Sequence, residues 1–136
     1  MPGATYSNLG LQITAKHEPD HLILEFAGEE SRWMPDRDRT GTLEAFLNEQ
    51  TQSVTASSVV VTHIELLEAM NSSTIRVIVS RIMQNLARGA RIEIYYDPKV
   101  SASTTILALL KTSVSEEDYA RLTAIPRSDR KNEAAR

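Results

Sequence analysis

The sequence predicts a single α/β domain. Its mixed β-sheet opens with an antiparallel hairpin, continues with parallel strands and is covered by α-helices. Three observations carry that reading. Two alternating apolar segments flank the turn residues His17-Glu18-Pro19-Asp20. An unbroken apolar run, Val59-Val60-Val61, is followed at once by the clearest helical stripe in the chain. The length of 136 residues supplies one hydrophobic core and not two.

Gly10–Lys16 reads as the first strand, with Leu11, Ile13 and Ala15 alternating against Gln12 and Thr14. Proline presets φ and aspartate bonds back to the chain, so residues 17–20 form a turn. His21–Ala27 returns as the second strand with Leu22, Leu24 and Phe26 on one face. Residues 28–39 form a long irregular loop of mixed charge that carries the only tryptophan, Trp33. Thr40 or Thr42 can cap a helix whose buried stripe is Leu43, Phe46 and Leu47. Ser58–Ile64 is the third strand, and its non-alternating Val59–Val61 run predicts a central strand covered on both faces.

Ile75, Ile78, Val79, Ile82, Met83 and Leu86 fall at the spacing of one helix face, with Arg76, Ser80, Arg81, Gln84, Asn85 and Arg88 opposite. Gly89 closes that helix as a left-handed cap. Arg91–Tyr96 alternates as the fourth strand, and Asp97-Pro98 breaks it. Ser101 or Ser103 starts a helix holding Ile106, Leu107, Leu109 and Leu110. Ser115-Glu116-Glu117-Asp118 caps a last short helix with Tyr119 and Leu122, stopped by Pro126. The domain thus covers residues 1–126. Residues 127–136 are polar, with no apolar residue but alanine, and are predicted to be a disordered tail. The predicted order is β-β-α-β-α-β-α-α, with four strands.

Composition removes several classes of function. The net charge of −3 supplies no basic face for a phosphate backbone, so no nucleic acid partner is expected. The chain has no cysteine, which excludes disulfides, thiolate zinc, iron–sulfur clusters and a cysteine nucleophile. The five glycines are never closer than seven positions, so no dinucleotide fingerprint, phosphate loop or nucleophile elbow can be written. Cofactors and metals are therefore not expected. The polar N-terminus holds no signal peptide and no apolar run approaches a membrane span, so a cytoplasmic protein without membrane contact is expected.

Three places can carry function. His17 and His21 flank the first turn beside Glu18 and Asp20, a set that reads as a solvated hairpin tip because a metal needs more ligands. His63 ends the third strand and could serve a serine as base, but no orienting group is evident in the sequence. Trp33, among Arg32, Arg37 and Arg39, either anchors a partner-binding loop or folds back on the edge of the core. The most informative segment is Asn71-Ser72-Ser73-Thr74, at the entry of the main helix. Asn, Ser and Thr are favoured caps there. A helix N-terminus also favours a phosphate, which allows a phosphorylation site.

Val59 to Ile75 reads Val-Val-Val-Thr-His-Ile-Glu-Leu-Leu-Glu-Ala-Met-Asn-Ser-Ser-Thr-Ile. This stretch resembles the signature of STAS domains, the anti-sigma factor antagonist family. That family places an apolar strand, a short loop, an Asp/Asn-Ser-Ser group and an amphipathic helix in this order. Arg88-Gly89-Ala90-Arg91-Ile92-Glu93-Ile94 resembles its helix end and next strand, and the element order fits over roughly residues 10 to 122. By spacing from Ser72, the family's aspartate and following hydroxyl residue fall on His63 and Glu65, and its glycine falls on Thr74. Asn71-Ser72-Ser73 is also similar to the related biofilm-regulation phosphoproteins, as are Gly28-Glu29-Glu30-Ser31 and Tyr96-Asp97.

The resemblance implies a non-enzymatic bacterial signal-transduction protein that works by partner switching. A serine/threonine kinase of the anti-sigma type would phosphorylate Ser72, with Ser73 as the alternative, and a phosphatase would reverse it. Only one state would bind the partner, which is the kinase, the phosphatase or a regulated effector enzyme. The expected partner-binding residues are Asn71, Ser72, Ser73, Thr74, Arg76, His63 and Trp33. The competing reading is a constitutive interaction or assembly subunit of the same fold, in which the serines only cap a helix. A small enzyme using His63 and a serine is the third.

Overall fold

The structure is a computed structural model that describes residues 3–8, 10–28, 42–68 and 72–127. Trp33, Asn71, most of the long loop and the tail beyond Arg127 lie outside the described residues. The strands are β1 (Ala4–Asn8), β2 (Leu11–Glu18), β3 (His21–Gly28), β4 (Val59–Leu67), β5 (Arg91–Tyr96) and β6 (Leu122–Pro126). The helices are α1 (Thr42–Thr51), α2 (Ser72–Ala87), α3 (Ser101–Ser113) and α4 (Glu116–Tyr119). All six strands form one sheet in chain order; β1 to β3 pair antiparallel and β3 to β6 pair parallel. The α/β class and the opening hairpin agree with the sequence reading.

The sheet has two more strands than that reading. Residues 4–8 look polar, but Ala4 and Tyr6 alternate onto the core side opposite Ala15 and Ile13. The Tyr6 ring lies 5.7 Å from that of Phe46 in α1. At the other end, the last helix stops after one turn at Tyr119. Ser115 caps it by accepting the amide of Asp118 at 3.1 Å. Leu122 is therefore not helical. It opens β6, which pairs with β5 from Ile92↔Leu122 to Tyr96↔Pro126. Pro126 is tolerated because β6 is an edge strand.

The turn between β2 and β3 is short because Asp20 takes a left-handed conformation, φ 60°. Gly89 caps α2 with φ 92°, as predicted, and a Cβ there would stand 3.0 Å from that of Ala56. The core lies on one side of the sheet. Leu11, Ile13, Leu22, Leu24, Phe26, Val60, Ile64, Ile92 and Ile94 meet Leu43 and Leu47 of α1, Ile78, Ile82 and Leu86 of α2, and Ile106 and Leu110 of α3.

Two expectations need correction. β4 is central, but Val59 and Val61 stay half-exposed on the face away from this core, while Val60 between them is covered. The polar side of α2 is not all solvated either. Arg81 and Asn85 are buried, because α1 lies against that flank and offers Glu44 and Thr51 as partners for Arg81.

Candidate functional site

Parallel strands with helices between them place the strand C-termini and the helix N-termini on one edge, where α/β folds assemble their sites. Here that edge holds the ends of β4, β5 and β6 and the starts of α2 and α3.

The start of α2 is graded in burial. Ser72, its first residue, is exposed; Ser73 is half-buried; Thr74 is fully buried at 0% exposure. The grading follows from the stripe beneath, since Thr74 lies one turn before the buried Ile78 and shares its face. Ser72 is thus the one of the three that is exposed. Arg76 is exposed one turn further on, near enough along the helix for an i, i+4 contact with a charged group at 72. Arg76 also heads a groove of about 440 Å³ between α2 and α3, lined by Val79, Met83, Ala87 and Leu109.

His63 stands apart from this set. It projects from β4 on the face away from the core, where its ring stacks on Tyr95 at 4.7 Å and 12°. Its Nδ1 lies 2.8 Å from Oε1 of Glu65. When Glu65 is ionised its oxygen only accepts, and Nδ1 then carries the hydrogen. The orienting group missing from the sequence reading is therefore Glu65, itself 2% exposed. Its burial has a local cause. Glu25 pairs with His63 but Ala27 pairs with Leu66, so β4 holds one residue more than β3 over this stretch. That bulge lets Ile64 and Glu65 be buried in succession, against the strand's alternation.

A polar clamp joins the three strand ends. Arg127 Nη1 donates to the carbonyl of Glu65 at 3.5 Å and lies 3.6 Å from Oδ2 of Asp97. Asp97 Oδ1 accepts the amide of Lys99 at 3.0 Å, and the amide of Asp97 donates to Ser103 Oγ at 3.4 Å. Sequence reasoning missed this arrangement because Asp97 read as a strand breaker and Arg127 as the start of a tail. The available signal was an acidic residue, Glu65, set between the apolar Ile64 and Leu66.

Ser72 and Arg76 thus share one end of α2, with Ser73 and Thr74 set progressively beneath the surface, while His63 belongs to the opposite sheet face. Among the described residues no group of three His, Cys, Asp or Glu is placed to hold a metal, and no helix is long and apolar enough to cross a membrane. Burial lowers the pKa of the Arg81 guanidinium, and Glu44 partly restores it.

No protein-family model and no curated protein matches the chain. A solved structure described as "Crystal Structure Analysis of Mglu" aligns with 63% of this chain at 22% identity and a TM-score of 0.47. The aligned part is 20% of that chain, so the present chain spans about a fifth of its length.

Proposed function

We propose that the protein is a non-enzymatic regulatory binding module switched by phosphorylation of Ser72, in the manner of an anti-sigma factor antagonist. The observation that carries this reading is the burial gradient at the start of α2: Ser72 exposed, Ser73 half-buried, Thr74 buried. A kinase must close on a hydroxyl from outside, and position 72 offers one while the turn below it is anchored.

A phosphate on Ser72 adds about −1.5 to −2 charge. The positive end of α2 and the guanidinium of Arg76 offset part of it, so the domain stays folded. A partner seated on this end must instead desolvate a hydrated dianion, which costs several kcal/mol without a matching cation. A penalty of about 3 kcal/mol is more than a hundredfold in affinity. The modification acts on association, not on folding. The partner in this reading is a protein: a serine/threonine kinase of the anti-sigma type, a phosphatase or a regulated effector enzyme.

The test is a phosphosite map of the protein from its native cells, followed by capture of the identified partner with Ser72→Ala and Ser72→Asp. Phosphate on Ser72, binding by the alanine variant and loss of binding by the aspartate variant are expected. Equal binding by both variants would leave Ser72 as a helix cap and the protein as a constitutive assembly subunit.

A further inference from the structure

The face of the sheet away from the core is built in rows. Across β2, β3, β4 and β5 one row reads Glu18, His21, Val59, Arg91; the next reads Lys16, Ile23, Val61, Glu93; the third reads Thr14, Glu25, His63, Tyr95. Ile23, Val59 and Val61 are half-exposed and belong to no part of the core. Among the described residues no helix packs on them. Parallel strands are ordinarily covered on both faces, and a valine-rich central strand open on one side is an unfinished surface.

The charges on this face are arranged antisymmetrically. Lys16 on β2 shares a row with Glu93 on β5, and Glu18 on β2 shares a row with Arg91 on β5. Among the described residues these four make no ion pair within the chain. We propose that this face is a homodimer interface, with a second copy packed on it about a two-fold axis that runs parallel to the strands between β3 and β4. Such an axis exchanges β2 with β5 and β3 with β4. It sets Lys16 against the second copy's Glu93, Glu18 against its Arg91 and Ile23 against its Val61. Each pairing occurs twice, as a self-complementary interface requires. A surface with equal and opposite signs in matching rows on either side of its midline is complementary to itself, which is why a second copy is the occupant rather than an unrelated protein.

The dimensions permit the contact. Packed sheets lie about 10 Å apart, a gap that a lysine and a glutamate reaching toward each other can span. Strand spacing and rise over four strands and three rows give a footprint of the order of 400 Å² per copy. That is about half the ~800 Å² per partner of a standard stable complex, so a weak dimer is expected. The inference is independent of Ser72, which lies at the end of α2 and not on this face.

The test is sedimentation velocity on the full chain from low micromolar to several hundred micromolar. Wild type is expected to pass from monomer to dimer over that range. Lys16→Glu and Glu93→Lys, each checked for an unchanged circular dichroism spectrum, should each weaken self-association by at least about tenfold, because each sets like charges together at two symmetric places. Mixing the two variants restores opposite charges at both places, so the mixture should form a heterodimer close to wild type in affinity. A wild-type chain that stays monomeric throughout, singles that dimerise like wild type, or a mixture no better than its components would each overturn the proposal.

Discussion

Arg81 of α2 is 4% exposed, and its guanidinium meets the half-exposed carboxylate of Glu44 in α1 at 3.0 Å. Burial lowers the pKa of Arg81, Glu44 opposes this, and the nearby Arg88 adds to the lowering. Removing the carboxylate leaves a buried cation without its anion, whereas replacing the cation by an apolar side chain leaves nothing to compensate. Glu44→Ala is expected to cost about 1–2 kcal/mol, less than a fully buried pair because Glu44 is solvated. Arg81→Met is expected to stay within about 1 kcal/mol of wild type. Urea midpoints decide it, and the reverse order would show that Arg81 contributes through hydrogen bonding to Thr51 rather than through charge.

The stripe of α2 provides the second expectation. Ile82 is 3% exposed within the core between helix and sheet. Ile82→Ala should cost roughly 2–5 kcal/mol by removing buried methyl groups and leaving a cavity. A loss of a few tenths would place this residue outside the load the core carries.

At the head of the same helix, neighbouring substitutions should diverge. Ser72→Asp puts a charge into solvent beside the positive end of α2 and should shift stability by less than about 1 kcal/mol. Thr74→Asp puts the same charge at a site with no exposure and should cost several kcal/mol. Thermal melts of the two variants side by side test whether the burial gradient governs this turn.

How far this architecture was legible in the sequence depended on periodicity. β2, β3, β5 and the stripe of α2 show clean alternation or helical spacing and were read within a residue or two. β1 and β6 were not, since each is a five-residue edge strand. An edge strand has one hydrogen-bonded neighbour and little need for an apolar pattern. Arg81 and Asn85 fall opposite the apolar stripe, and a helical wheel knows nothing of α1, which covers that flank and buries them. For the site, the position of Ser72 was legible, but its exposure relative to Ser73 and Thr74 depends on packing. The contact between His63 and Glu65 needs a bulge, which no spacing rule encodes.

His63 offers a spectroscopic expectation. With Nδ1 held against Glu65 Oε1 at 2.8 Å, an ionised Glu65 is expected to keep the neutral ring's proton on Nδ1, the less common tautomer of free imidazole. Long-range ¹H–¹⁵N correlation should show this directly. Glu65→Ala should shift the ring toward the Nε2–H form, and an unchanged spectrum would mean that the stacking on Tyr95 alone fixes the ring.

The C-terminal region should divide sharply. Truncation after Arg127 should leave the melting midpoint unchanged, since residues 128–136 carry no apolar side chain but alanine. Truncation after Arg121 removes β6 with its Arg127 clamp and uncovers the edge of β5, and should lower the midpoint by more than about 5 °C. Differential scanning calorimetry of the two truncated chains separates them.

The order of the strands in space, identical to their order in the chain, bears on how the molecule is made. No strand is inserted between two that came earlier. A chain leaving the ribosome therefore completes the hairpin of β1 and β2 first and then adds β3, β4, β5 and β6 outward, each to an edge already formed. Each strand pairs with the one made just before it, so the three parallel pairings, such as His21↔Val59, Val59↔Arg91 and Ile92↔Leu122, each close one crossover loop and none spans two. Assembly during synthesis then needs no rearrangement of earlier pairings, and at every stage a single growing edge, not the interior, awaits the next segment.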